Sequence, residues 1–424
     1  MSVRITTNGL FRNYRSNLYK NTNKLNTAMM RVQTQRNFNS YAEDPAAANR
    51  AFQLRRSFQR VGDQLDNSNY VISKFQSAWS ALDGIIEGND VEGGGLNGVA
   101  DSLRALNDTN AGARTALGQS LVSSSDSIVR MLNVQYGDDF VFAGDDGLNV
   151  PFEWSGETLL YRGIDVNAPK PLSEDEFDAL NGDFEDYPEF EDWLDEKSID
   201  DASATFDNFK AWYYDRYQET SSYSEESLGT TEDMCIDRFY NKASVRYNDA
   251  TYVDIGIGLQ LDSSGEVIPT SAFNASLSGL TYLGGSRDED GESRNVAVLM
   301  KELGTLFSSC DPESGAYQEY TFNGVHYTAD EAAERSSLLA GKVQDGIGAM
   351  IEQHTKLTSS VTYLESNVDQ LIITKDQMNE QIVDVEQMDS ALAITEMMWA
   401  QYSYNAALRI GTNILSQSLI DYLS

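Results

Sequence analysis

Paired carboxylates are the first candidates for chemistry in this sequence. Glu185 with Asp186, and Glu189 with Glu191, are of the types that acid–base catalysis or a hard cation requires. Asp and Glu together number 66 in 424 residues, so such pairs arise throughout and a solvated surface is the expectation for both. Asp288-Glu289-Asp290-Gly291 has the acidic start of a calcium loop. Its glycine arrives too early and the distal glutamate is missing, so an exposed turn is predicted. His326 and His354 are the only histidines and neither has a second one at ligand spacing, which argues against a metal or catalytic role. Cys235 and Cys310 are too few for a disulfide framework or most zinc sites, leaving isolated thiols or one bridge. Gly93-Gly94-Gly95 lacks the lysine and preceding strand of a phosphate-binding loop. Tyr and Trp within 184–223 could present a sugar-binding face, an aromatic core being the commoner outcome of such a composition. These residues specify no catalytic, cofactor or metal site, and the chain reads as a non-enzyme. A metal-dependent hydrolase carried on the central segment is the enzymatic alternative.

The pattern that does stand out is helical and lies at the two ends. Leu357, Val361, Leu364, Val368, Leu371, Met378, Ile382 and Val385 alternate in steps of four and three, broken only by Lys375. This is a coiled-coil seam that another helix must cover, and at ~1.5 Å per residue the segment makes a rod of about 60 Å. Beyond it, residues 391–423 carry Leu392, Ile394, Met397, Trp399, Tyr402, Leu408, Ile410, Ile414, Leu415, Leu419 and Leu423 around nearly every helical face. Such a helix wants protein on all sides. Glu396, Arg409 and several amides leave no run of about 18 apolar residues, so a membrane span is not expected.

At the other end, Phe11, Tyr14, Leu18, Leu25, Ala28 and Val32 follow the same grid with Asn21 as the polar exception, and a polar connector follows over Asn37 to Tyr41. Glu43-Asp44-Pro45-Ala46-Ala47 then marks a helix start, because an aspartate can cap the free N–H groups and proline suits the first turn. A second seam runs through Ala51, Leu54, Phe58, Val61, Leu65, Ile72, Phe75, Trp79, Leu82 and Ile86, broken at Ser68, and is the natural partner of the C-terminal seam. Leu117, Leu121, Ile128 and Leu132 form a further helix.

The period shortens at Asp138 to Gly144 and again at Val150 to Trp154, a strand–turn–strand signal. Residues 171–233 read as helix-rich; 243–285 as strand-rich through Ala243 to Tyr247, Tyr252 to Leu261 and Leu277 to Leu283; Val296 to Phe307 as helix; and Thr321 to Tyr327 as one strand. The fold class is therefore mainly α with an α+β insert, its N- and C-terminal helices pairing as an elongated coiled-coil bundle. The expected division is 1–42 with 386–424 as a terminal helical core, 43–154 with 345–385 as a helical rod with a β-hairpin, and 155–344 as a variable insert.

The length is too great for one core, and the net charge of −35 argues against binding nucleic acid or an anionic membrane. Arg4, Arg12, Arg15, Lys20, Lys24, Arg31 and further arginines make residues 1–60 basic, which favours contact with acidic segments of the same protein. Residues 1–30 lack the apolar core and cleavage site of a secretory signal.

Glu43-Asp44-Pro45-Ala46-Ala47, Phe140-Val141-Phe142-Ala143-Gly144 with Pro151-Phe152, and the ending Ser418-Leu419-Ile420-Asp421-Tyr422-Leu423 together resemble the flagellin superfamily of bacterial axial proteins, and within it the hook-associated proteins. The resemblance covers about 1–155 and 345–424. It implies export through the flagellar type III channel with an uncleaved N-terminus, and an extracellular place in the flagellum. The role implied is a structural junction between hook side and filament, with the filament flagellin itself as the alternative. The implied partners are copies of the chain, hook-associated protein 1, flagellin and an export chaperone. The implied assembly interface is Leu18, Leu25, Val32, Leu392, Trp399, Tyr402, Leu408, Ile414, Leu415, Leu419 and Leu423, and the small residues Ala406, Ala407 and Gly411 would permit close helix approach.

Overall fold

The computed structural model describes residues 7–88, 95–105, 111–184, 187–247 and 249–423. They belong to two compact units, one drawn from the chain up to Asp66 and from Val368 onward, the other spanning Asn67–Asn367. The chain is mainly helical, its terminal helices pair, and among the described residues its strands form only small antiparallel sheets. None of the described helices is long and apolar enough to cross a membrane.

Helices α1 (Thr7–Thr34) and α2 (Pro45–Glu87) open the chain, and α12 (Ala329–Glu386) and α13 (Ser390–Leu423) close it. Asp44 starts α2 as expected, its Oδ1 accepting from the N–H groups of Ala46 at 3.1 Å and Ala47 at 3.0 Å. In the first unit Arg55 on α2 donates twice to Glu386 on α12, and Lys375 lies 5.4 Å from the centre of the Phe58 ring. The lysine that interrupts the C-terminal seam is thus accommodated as a cation over an aromatic face. Within the second unit α2 and α12 also pair, Trp79 Nε1 donating to Thr358 Oγ1 at 3.0 Å. Ala51, Val61 and Leu371 are buried in the first unit, and Ser68, Ile72, Phe75, Leu82, Ile86, Leu357 and Leu364 in the second. Trp79 departs from the seam: it stays 38% exposed, with its ring stacked on His354, centroids 5.4 Å apart.

The start of α12 at Ala329 lies well before the seam that marks this helix in the sequence. Its early buried positions are Ala332, Ser336, Leu339, Val343, Ile347 and Met350, where a small residue and a hydroxyl mask the period.

In the second unit α3 (Leu96–Ala105) and α4 (Ala111–Leu132) follow α2, and α4 packs closely on α11 (Val296–Ser309). The approach depends on Gly118 and Gly304, since a Cβ on Gly304 would stand 2.8 Å from the Gly118 carbonyl oxygen. Ser125 Oγ, buried in the same contact, donates to the Ala297 carbonyl at 2.7 Å.

The β elements differ from expectation. Strand β1 (Gln135–Tyr136) pairs with β2 (Asp139–Phe140), and β3 (Phe152–Ser155) pairs with β4 (Thr158–Tyr161), which also pairs with β5 (Ile164–Asp165). The two segments expected to form one hairpin are therefore in separate sheets. The run Val141-Phe142-Ala143 is fully buried instead and reaches Ser278 through a single bridge. Arg162 pins this region by hydrogen bonds of 2.9 and 2.8 Å to Asp249 and an ion pair of 2.8 Å to Asp145.

Next come α5 (Glu174–Leu180), α6 (Pro188–Lys197), α7 (Phe206–Tyr217), α8 (Glu225–Leu228) and α9 (Glu232–Val245). They enclose an aromatic core that includes Phe177, Phe184, Phe190, Phe209, Trp212, Tyr213, Phe239 and Tyr240. Most aromatic residues of 184–223 are thereby inside rather than on a sugar-binding face. Residues 243–285 are not strand-rich. Ala243 to Val245 end α9, β6 (Tyr252–Val253) and β7 (Phe273–Asn274) make a two-residue ladder, and Leu280 to Leu283 lie in the short helix α10 (Gly279–Leu283). A short apolar run carries no period that separates strand from buried helix, and burial decided for helix here. Thr321 to Tyr327 is a hairpin, β8 (Tyr320–Phe322) with β9 (Val325–Tyr327), turned at Asn323-Gly324, where φ is +48° and +78°.

Candidate assembly surface

The connectors of the first unit set the geometry of α1 and α13. Asn37 donates its backbone N–H to the Glu386 carbonyl at 2.8 Å, and its side-chain amide to the Val385 and Gln387 carbonyls at 3.0 and 2.9 Å. Met388 N–H donates to the Gln35 carbonyl at 3.1 Å, and Glu43 accepts from Asn39 N–H at 2.9 Å. The polar connector is therefore a clasp between the end of α1 and the end of α12. Asp389 then caps α13, accepting from Ala391 N–H at 2.7 Å.

Helices α1 and α13 pack against each other antiparallel, as Arg31 with Glu396 at 3.5 Å and Tyr14 beside Gly411 show. The inner positions of α1 are those of its four-three grid: Phe11, Tyr14, Leu18, Asn21, Leu25 and Val32 are half-buried and Ala28 is buried. The inner line of α13 is Ala393, Met397, Ala400, Tyr404, Ala407 and Gly411, also in steps of four and three, but built mostly of small residues. Large side chains on α1 thus fill the space that small ones on α13 leave. A Cβ on Gly411 would fall 2.0 Å from the Tyr14 hydroxyl.

Because the small residues take the inside, the large ones of α13 face out. Leu392, Ile394, Met398, Trp399, Tyr402, Leu408 and Ile410 are between 39 and 70% exposed, and on α1 Tyr19, Met29 and Met30 are likewise exposed. Trp399 and Tyr402 pack edge to face, 6.4 Å apart, without cover. Scattered exposed leucines are ordinary, whereas so many large apolar groups on one helix mark a surface awaiting a partner.

The expected interface residues therefore divide. Leu18, Leu25 and Val32 are half-buried on α1, while Leu392, Trp399, Tyr402 and Leu408 are exposed. The side chains of Ile414, Leu415, Leu419 and Leu423 lie outside the described residues. Tyr19, Met29 and Met30 fall off the α1 grid, so its spacing does not mark them.

The residues weighed for chemistry are engaged elsewhere. Asp288 and Asp290 both ion-pair with Lys342, and Asp288 Oδ1 also accepts from the N–H groups of Asp290 and Glu292. The acidic turn is thus tied to α12 rather than freely exposed at Asp288, and these contacts hold its carboxyl below the usual range despite some burial. Glu189 pairs with Arg216 at 3.1 Å; Glu185 and Asp186 lie outside the described residues, as do Gly93 and Gly94. Among the described residues no three His, Cys, Asp or Glu side chains cluster as a metal site. Cys235 and Cys310 are buried free thiols. His326 is near Glu319, at 3.6 Å, and His354 is stacked on Trp79.

No curated protein matches the chain. A solved structure assigned as a flagellar hook-associated protein from Vibrio parahaemolyticus shares 12% identity with it at a TM-score of 0.43, covering 81% of this chain and all of the other. The likeness at that level is coarse. Residues 5–90, which here supply α1, the Asp44 cap and α2, match the family model of the bacterial flagellin N-terminal helical region, and this similarity supports a flagellin-type structural role in the bacterial flagellum.

Proposed function

We propose that this chain is a structural subunit of the flagellum, a hook-associated junction protein of the FlgL type that joins the hook side to the flagellin filament. The carrying observation is the row of large apolar side chains left exposed on α13, a helix that can bury them only against other chains. The match of residues 5–90 supports the flagellar setting, and the Pro151-Phe152 element and the Asp421-Tyr422-Leu423 ending favour junction over filament. On this reading residues 1–42 and 386–424 build the inner core of a tube, 43–154 and 345–385 a surrounding rod, and 155–344 an outward insert. The interface comprises Leu18, Leu25, Val32, Leu392, Trp399, Tyr402 and Leu408, continued by Ile414, Leu415, Leu419 and Leu423. Hook-associated protein 1, flagellin and an export chaperone are the partners, and export proceeds through the type III channel.

Seeded assembly tests the proposal. Purified chain added to hook fragments should add one short layer that stops, seen by electron microscopy. Filaments growing without limit would identify a flagellin instead.

A further inference from the structure

We propose that the second unit carries a binding site for an acidic saccharide, in the cavity between α6, α7 and the turn at residues 286–294. This goes beyond the assembly role and stands without it. The cavity measures about 450 Å³, within the range of small-ligand sites. Its wall combines Asn167, Tyr187, Glu189, Trp212, Arg287 and Arg294.

Three observations point to a ligand. Arg287 and Arg294 are exposed and neither pairs with a carboxylate among the described residues, in a chain where acidic groups outnumber basic ones by 66 to 31. Of the carboxylates on the wall, Asp288 is committed to Lys342 and Glu189 to Arg216, Glu289 is exposed, and Arg287 spends one N–H on the Gly291 carbonyl at 2.7 Å. Asn167 is only 2% exposed, yet its side-chain oxygen has no hydrogen-bond partner, an uncompensated cost in the absence of a ligand or water. Finally, half-buried Tyr187 and buried Trp212 line the cavity beside these polar groups.

The mixture selects the ligand class. A phosphate cluster would be repelled by Glu189 and by exposed Glu289 on the same wall. Sugar hydroxyls both donate and accept, so they satisfy carboxylate, amide and guanidinium together, while the C–H face of the ring lies on the aromatics. A single carboxylate on the sugar then meets the two arginines bidentately.

Titration of the full chain with 3′-sialyllactose, lactose and inorganic phosphate, read by saturation-transfer NMR and calorimetry, tests this. The expected result is a Kd of about 1 mM or tighter for sialyllactose and at least about tenfold weaker binding of lactose. The double variant Arg287→Ala/Arg294→Ala should bind sialyllactose no better than lactose, and Asn167→Ala should weaken both sugars. Circular dichroism and thermal melting check that each variant folds; should the double variant not fold, Arg294→Ala alone serves, since that side chain is exposed. Absence of saccharide binding, equal affinity for lactose, unchanged affinity in folded variants, or displacement by equimolar phosphate would overturn the assignment.

Discussion

Gly411 and Tyr14 show how one hydrogen atom sets a helix contact. With a Cβ 2.0 Å from the Tyr14 hydroxyl, α1 and α13 could not keep their spacing. Gly411→Val should destabilise the first unit by ~1–3 kcal/mol, and Tyr14→Ala in the same chain should restore much of the loss, measured as hydrogen-exchange protection of α1. Asp249 gives a second residue-level prediction. Burial, with Asp145 competing for Arg162, pushes its carboxyl up to about 6 from an ordinary 3.8. A carboxyl with a raised folded pKa holds its proton better folded than unfolded. Its contribution is therefore complete below about 4 and is lost as pH rises through about 6. Urea midpoints of the second unit should rise from about pH 7 to about pH 5 by more in the wild type than in Asp249→Asn, whose amide cannot titrate. Equal pH dependence would remove Asp249 as the cause. The same dependence on neighbours explains the lone candidates of the sequence: Asp288 is a structural anchor because Lys342 stands beside it, and His354 is a ring platform because Trp79 does.

At the scale of elements, the large residues of a four-three grid were legible and the small ones were not. The α1 grid, the α2 seam apart from Trp79, and the C-terminal seam are where the spacing puts them, because a large apolar side chain loses most by facing water. On α13 the logic inverts: Ala393, Ala400, Ala407 and Gly411 face inward because α1 supplies the bulk, and Trp399 and Tyr402 turn out. The signal existed as a recurrence of alanine every seven positions, Ala393, Ala400 and Ala407, with Gly411 four further on. This placement sharpens a prediction. Leu408 is 39% exposed in the single chain, so Leu408→Asp should leave its folding within about 0.5 kcal/mol, yet block assembly, where the carboxylate would be buried without a partner. Sedimentation of seeded mixtures together with melting of the free chain checks both halves. The β elements were the least legible, since two- to four-residue strands take their pairing from distant neighbours rather than from a local period.

For the whole molecule, the division into two units and the pairing of the chain's ends place basic α1 and α2 against acidic partners, as in Arg31 with Glu396 and Arg55 with Glu386. Exposed pairs of this kind add little stability. The terminal helices, holding each other through one narrow line, should then be the first part to open. Limited proteolysis of the free subunit should trim residues 1–40 and 388–424 ahead of the second unit, and terminal helices that outlast the second unit would contradict the proposed dependence on neighbouring copies. By itself the sequence determined the helical class, the capped start at Asp44 and the two long seams. All of these rest on local period, local hydrogen bonding or simple counts. Only the tertiary structure decided which side of α13 is covered, how the short strands pair, that the acidic turn is clamped by Lys342, and that Arg287 and Arg294 meet Asn167 around one cavity. Those outcomes depend on side chains far apart in the chain, and no spacing along it encodes which distant surface will fill the space between them.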